Sequence, residues 1–256
     1  MKIKRYGEGV GLYFPRLRPP LCFASIHDAC GVKKESAYAQ EGIVVILKED
    51  RDIVSDKHTA ILPEECVHFL GGPCHILHGS SRTAKRIGGV STSHKETVAA
   101  VSSKEVAQLV ALRFTEVLGA GFSLPMYQSP KVTDLIAIQE NGSYCFAIDD
   151  YTDCADLWEL MTGQKGVPQD RHQRLYVLSL REDRMVGKIR HTVLLPTEIM
   201  VADALTKVML SAQFMNLLTT GFLVMKLDNS RLMVRVRTRR RIDIKVTERD
   251  LLDMSD

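Results

Sequence analysis

The chain has 256 residues, with 34 Lys and Arg against 31 Asp and Glu and a formal net charge of +3. Its 45% hydrophobic and 25% charged content suits a globular domain with a real core, and so balanced a charge does not by itself announce nucleic acid. No run of about 18 apolar residues exists, which excludes a bilayer-spanning helix, and the basic stretch from Met1 to Arg5 leads into no apolar segment, which argues against a secretory signal. The cysteines at 22, 30, 66, 74, 145 and 154 follow no repeating spacing and lie mostly beside apolar runs. They read as reduced thiols of an intracellular protein, with nothing to separate cytoplasm from nucleus.

Residues 1–20 combine Lys2, Lys4, Arg5, Arg16 and Arg18 with several glycines and prolines, the chemistry of a linker or tether. An apolar run at 21–26 predicts a first strand, ending at His27-Asp28-Ala29-Cys30. Runs at 42–47 and 74–78 predict two more, and three consecutive strands imply an antiparallel meander. A basic loop, 80–86, carries Arg82, Lys85 and Arg86. A helix of some seven turns is expected from Ser91 until Gly119 and Gly121 stop it.

An apolar strand at 144–148 then runs into Asp149-Asp150-Tyr151-Thr152-Asp153. Two helices are expected at 154–161 and 169–185, the second with Leu175, Leu178 and Ser179 on its inner side. A last strand at 188–194 is broken by Pro196; Thr197 is placed to cap a following helix, with Glu198 in its first turn. Val201, Ala204, Leu205 and Val208 share one face of that helix and leave Asp203 near its edge. Beyond Leu218, segments 221–227, 231–237 and 241–246 alternate apolar and basic residues, which predicts a basic β-rich extension. The expected division is a tether at 1–20, a domain at 21–215 and the extension at 216–256.

Four acids stand where strands end or helices begin, and each has an ordinary reading. Asp28 is placed as a turn residue before Gly31. Glu96 completes a capping box, Ser93-x-x-Glu96. Asp153 can cap the helix that follows it, and Asp149 and Asp150 compete for any role it has. Asp203 fits a solvated helix edge. A cluster of Cys66, His68, Cys74, His75 and His78 raises zinc, but the pairs are spaced too closely for a finger.

Taken together, these segments resemble a known family. Pro196-Thr197 followed by Ala202-Asp203-Ala204-Leu205-Thr206-Lys207 resembles the closing motif of the ribonuclease H domain in copia-type retrotransposon polyproteins. Ile26-His27-Asp28-Ala29 resembles its first-strand Asp-Ala element, the segment from Ser91 to Thr97 its helix-borne Glu, with Lys95 in place of a small residue, and Thr152-Asp153-Cys154 its strand-end Asp. The resemblance implies an α/β, ribonuclease H-like fold: a mixed five-stranded sheet flanked by helices, here with the β-rich C-terminal extension. It also implies hydrolysis of RNA in an RNA–DNA hybrid, with Asp28, Glu96, Asp153 and Asp203 holding two Mg²⁺ ions (or Mn²⁺) roughly 3.5–4 Å apart. Arg82, Lys85, Arg86 and Lys95 would grip the hybrid's phosphates, unless the basic loop is simply solvated. An upstream reverse transcriptase domain of the same polyprotein is the implied partner. The alternative is a catalytically degenerate fold that serves as a scaffold for nucleic acid or protein.

Overall fold

The computed structural model describes residues 12–30, 38–50, 71–88, 91–118, 131–207 and 212–223. Within them the apolar runs of the N-terminal third become three long strands, β1 (Leu21–Cys30), β2 (Tyr38–Glu49) and β3 (Gly72–Gly88), paired antiparallel in chain order. Each outruns the apolar stretch that predicted it. The ladder of β1 on β2 continues through Asp28 opposite Gly42 to Cys30 opposite Gln40, so Asp28 is a strand residue and not a turn residue. The expected basic loop at 80–86 is likewise part of β3, with Ser80 to Ala84 paired to Ile43 to Ala39 of β2. Backbone hydrogen bonds carry such a ladder past the point where side chains turn polar.

Helix α1 (Thr92–Leu118) crosses the domain, followed by α2 (Val132–Asn141), β4 (Ala147–Thr152), α3 (Ala155–Thr162), α4 (Arg171–Met185) and β5 (His191–Leu194). β4 runs parallel to β1 and β5 parallel to β4. After a 3-10 turn (Thr197–Ile199) come the short α5 (Asp203–Thr206), then α6 (Ala212–Thr220) and the two-residue β6 (Phe222–Leu223) against the start of β3. The sheet order is β5-β4-β1-β2-β3-β6. Three antiparallel strands, then two parallel ones reached through helices, make this a mixed α/β fold with the sheet-and-helix order that the family resemblance leads one to expect. β6 is a sixth strand beyond the expected five.

Strand alternation divides the core. Ala24, Ile26, Val44, Ile46, Tyr151 and Val193 pack with Met200, Val201, Ala202, Phe214 and Leu217 on one face. Phe23, Ile43, Val45, Leu47 and Ile148 pack on the other against Ala107 and Ala111 of α1. Ala100, Leu157, Met161 and Leu180 join α1 to α3 and α4. The inner side of α4 differs from expectation: Val177 and Leu180 are buried, whereas Leu175 and Leu178 are 56% and 45% exposed. Polar contacts turn the helix. Gln173 donates to Ser93 and Thr97 of α1, and Lys104 of α1 donates to Ser179 and pairs with buried Asp183.

At the chain's ends, the backbone N–H of Tyr13 donates to Leu218 O at 3.1 Å, and α6 straddles the expected boundary at 215/216 while packing Phe214 and Leu217 into the core. Residues 1–11 and 224–256, and with them most of the expected tether and extension, lie outside the described residues. No helix among the described residues is long and apolar enough to cross a membrane.

Two acids inside β4 are compensated from within the fold. Arg190 donates to both oxygens of Asp149, at 2.9 and 2.7 Å, and to both of Asp50, at 2.6 and 2.8 Å. Burial pushes the Asp50 carboxyl upward, but Arg190 outweighs it and holds the group below its usual range. Arg190 thus ties the end of β2 to β4 just before β5 begins. Replacing it (Arg190→Met) strands a fully buried carboxylate at Asp149. Urea denaturation is expected to show a loss of about 3–5 kcal/mol, the usual result of removing one partner from a buried pair; an unchanged midpoint would disprove the clamp.

Candidate metal centre

β1 and β4 run parallel in register, Ile26 opposite Tyr151. Two residues further along each strand direction come Asp28 and Asp153, so this register sets both carboxylates at the same end of the sheet. Glu96 arrives from α1. The cap of that helix is Ser91, whose hydroxyl accepts from the N–H of His94 at 3.2 Å. Glu96 is therefore not the partner in a Ser93 capping box. It sits in the second turn, 4% exposed, and accepts a hydrogen bond from the backbone of Ala29. Ligand oxygens of Asp28, Glu96 and Asp153 lie within 4.8 Å of one another.

Asp203 opens α5 on the adjoining segment. Its charge acts on all three of the other acids. One of its oxygens pairs with Lys207 at 2.6 Å, while Oδ1 is buried with no hydrogen-bond partner. Thr206, at the end of the same short helix, donates to Asp28 Oδ2. The helix expected from Thr197 onward is thus split: Thr197 lies in a 3-10 turn and donates to Asp153, and the α-helical turn begins only at Asp203.

Crowding these acids away from water disfavours their charged forms. Burial, together with the charges of Asp203 and Asp153, raises Asp28 to about 6, although the Thr206 hydrogen bond pulls the other way. Burial and then the charges of Asp28 and Asp153 raise Glu96 to about 9. Asp153 is raised too, chiefly by burial. Glu96 Oε2 is buried without a hydrogen-bond partner, an arrangement that costs free energy unless something cationic fills the space. Clustered carboxylate oxygens are hard donors that suit Mg²⁺ or Mn²⁺ better than zinc. On these grounds the residues present fit a divalent cation.

The competitors Asp149 and Asp150 do not join this group. Asp149 lies with Asp50 and Cys22 within 4.8 Å, but Arg190 takes both carboxylates and burial pushes the Cys22 thiol up to about 12, which makes this an ion-pair cluster. Asp150 faces His27, whose Nε2 is 3.4 Å from Oδ2. Of the residues that raised zinc, Cys74 is buried in β3 and His75 Nε2 is 2.6 Å from Pro15 O, while Cys66 and His68 lie outside the described residues.

Among the basic residues, Arg82 is half exposed on β3 and donates to Glu41 at 2.9 Å. Lys85 and Arg86 are on the same strand, and their side chains lie outside the described residues. Lys95 differs from expectation. It is 8% exposed, in a stretch buried from His94 to Thr97, where His94 and Thr97 meet Tyr176 and Gln173 of α4 and Glu96 meets the backbone of Ala29 in β1. Thr197, expected to cap a helix, instead hydrogen-bonds Asp153, and Thr206 has no role assigned from the sequence. Both stand inside the closing motif, but a hydroxyl's partner has no signature in the primary structure.

No family model matches the chain, and no curated protein matches it. Among solved structures, it is similar to LC11-RNase H1 in complex with an RNA/DNA hybrid, at 14% identity and a TM-score of 0.36 over 70% of this chain and 88% of the other. A second structure, of LC11-RNase H1 isolated from compost by a metagenomic approach, matches at 17% identity and a TM-score of 0.34, covering 72% and 91% respectively.

Raised carboxyl pKa values have a definite sign for stability. The folded chain holds protons on Asp28 and Glu96 that the unfolded chain releases near pH 4, so the stability they confer is complete below that pH. It is lost as pH rises through about 6 for Asp28 and about 9 for Glu96. Metal-free protein should therefore melt at falling temperature between pH 5 and 9. Glu96→Gln should flatten this slope and raise the melting temperature at pH 8 by roughly 3 °C or more. A Gln variant with the wild-type slope would show that Glu96 is not held in this environment.

Proposed function

We propose that the protein is a metal-dependent ribonuclease H that hydrolyses the RNA strand of an RNA–DNA hybrid, as the ribonuclease H part of a copia-type retrotransposon. The observation that carries this reading is the meeting of Asp28, Glu96 and Asp153, with Asp203 beside them, at one mouth of the mixed sheet. The closing motif from Ala202 to Lys207 supports the retrotransposon assignment, and in that setting an upstream reverse transcriptase is the natural partner.

Asp28, Glu96, Asp153 and Asp203 would hold the divalent cations. When bound, such ions lower the pKa of the attacking water and neutralise charge developing on the O3′ leaving group. Glu96 keeps a proton on its carboxyl near neutral pH in the metal-free protein, and it must release that proton to coordinate, so cation uptake is coupled to pH. Lys207 pairs with Asp203 and offsets part of the acid charge. Arg82 on β3, half exposed and paired with Glu41, would meet the substrate's phosphates, together with Lys85 and Arg86 of the same strand, whose side chains lie outside the described residues. Lys95 is too well covered to reach far, so the phosphate grip rests on the β3 residues.

The test is cleavage of a labelled hybrid duplex by the purified chain with Mg²⁺ or Mn²⁺. Asp28→Asn and Asp153→Asn should each slow cleavage by about 100-fold or more, equivalent to several kcal/mol of lost charge stabilisation, while far-UV circular dichroism stays unchanged. Absence of any divalent-dependent cleavage by the unsubstituted chain overturns the assignment in favour of a degenerate fold that binds nucleic acid or protein.

A further inference from the structure

Three residues on three neighbouring strands form one cross-strand row at the site. Asp28 of β1 is paired with Gly42 of β2, and Gly42 with Ser81 of β3. The closing segment lies directly on this row. Asp28 accepts from the Thr206 hydroxyl. Ser81 Oγ donates to Leu205 O at 2.5 Å and is itself approached by Gln40 Nε2 at 2.8 Å. Between them Gly42 presents bare backbone. A Cβ there would stand 2.7 Å from Ala202 O, 2.9 Å from Thr206 Cγ2 and 3.0 Å from Leu205 Cβ. The first of these is an obstruction by backbone, which cannot swing aside as a flexible side chain would.

We infer that Thr206 is a positioning residue for the metal centre, and that the row Asp28, Gly42 and Ser81 is the seat that lets its hydroxyl reach Asp28. The inference rests on the reading of the four acids as a divalent-cation site. Thr206 is 8% exposed, and its methyl fills the space over Gly42 while its hydroxyl ties up one oxygen of Asp28. That fixes the carboxylate's rotation and directs the other oxygen toward Glu96 and Asp153. The same seating sets the distance of Asp203, three residues earlier on the same turn of helix. The closing motif therefore contributes two functions through one helical turn: a carboxylate from Asp203 and an orienting hydroxyl from Thr206.

The experiment compares Thr206→Val, Thr206→Ser, Thr206→Ala and Gly42→Ala with the unsubstituted full chain. Mn²⁺ binding is measured by titration calorimetry, hybrid cleavage by kcat and KM, and fold by circular dichroism. T206V keeps shape and loses the hydroxyl; it should weaken Mn²⁺ binding by about 10-fold or more and lower kcat with little change in KM. T206S should return Mn²⁺ affinity to within about twofold of the unsubstituted chain, and G42A should weaken it as T206V does. If valine disrupts the fold, the smaller T206A is read in the same way. Wild-type Mn²⁺ affinity in a folded T206V or T206A, or a T206S no better than T206V, overturns the inference. Mn²⁺ uptake that T206V weakens, in a chain that never cleaves hybrid, supports the positioning role and sinks the ribonuclease reading. A chain that takes up no Mn²⁺ sinks both.

Discussion

Carboxylates that repel one another in a place poor in water are the constraint around which this fold is arranged. Each of Asp28, Glu96 and Asp153 is held where burial alone would favour its protonated form, and neighbouring carboxylates add to this: Asp203 and Asp153 act on Asp28, Asp28 and Asp153 on Glu96, and Asp203 on Asp153. A fold tolerates such an arrangement only if its framework is stiff enough to hold the groups together against their repulsion. The framework here is the parallel register of β1 and β4, the sunken first turns of α1 and the closing segment seated on β1, β2 and β3. None of these elements could shift by one residue without scattering the site, because a one-residue slip turns every strand side chain to the other face.

The same sheet contains a second group of buried acids, and the comparison is informative. Asp149 and Asp50 are close to each other and to Cys22, yet Arg190 satisfies both with four hydrogen bonds. Proximity of acids is thus common to both clusters, while compensation separates them. Where a guanidinium closes the circuit, the cluster is part of the scaffold. Where oxygens of Glu96 and Asp203 remain buried with no hydrogen-bond partner, the structure leaves a charge requirement unmet from within. Lys207 meets part of it for Asp203, but the charges acting most strongly on Glu96 come from other carboxylates.

Much of this is legible in the amino-acid sequence. The order of strands and helices was readable from apolar runs and breakers, and the four acids stood out through the strings around Asp28, Glu96, Asp153 and Asp203. What could not be read was mostly a matter of partners. Residues 80–86 look like a basic loop because their side chains are polar, but their place in β3 is decided by backbone pairing with β2. Leu175 and Leu178 carry the apolar signal of α4, yet Gln173, Ser179 and Asp183 determine its rotation through α1. The helix from Val132 to Asn141 has no clear signal in the sequence because only Ile138 of it is buried, which leaves little amphipathic pattern. Ser93-x-x-Glu96 matches a capping box letter for letter, and only the bond from His94 to Ser91 shows that the helix starts earlier and leaves Glu96 free for the site.

Gly42 shows why such a site is hard to recognise from one sequence. A glycine that opens an apolar strand run carries no hint of chemistry, and it contributes no ligand atom. Its value is the absence of a Cβ at the point where the closing segment comes within van der Waals contact of the sheet. That absence has a local cost, since glycine in a strand forfeits packing and conformational restraint. The cost is offset at its two row neighbours: Ser81 holds the Leu205 carbonyl, and Asp28 receives the Thr206 hydroxyl. Strand pairing that serves the core thereby also seats the closing segment, and on the proposed reading it is this pairing, in the same row as Asp28, that would aim the carboxylate.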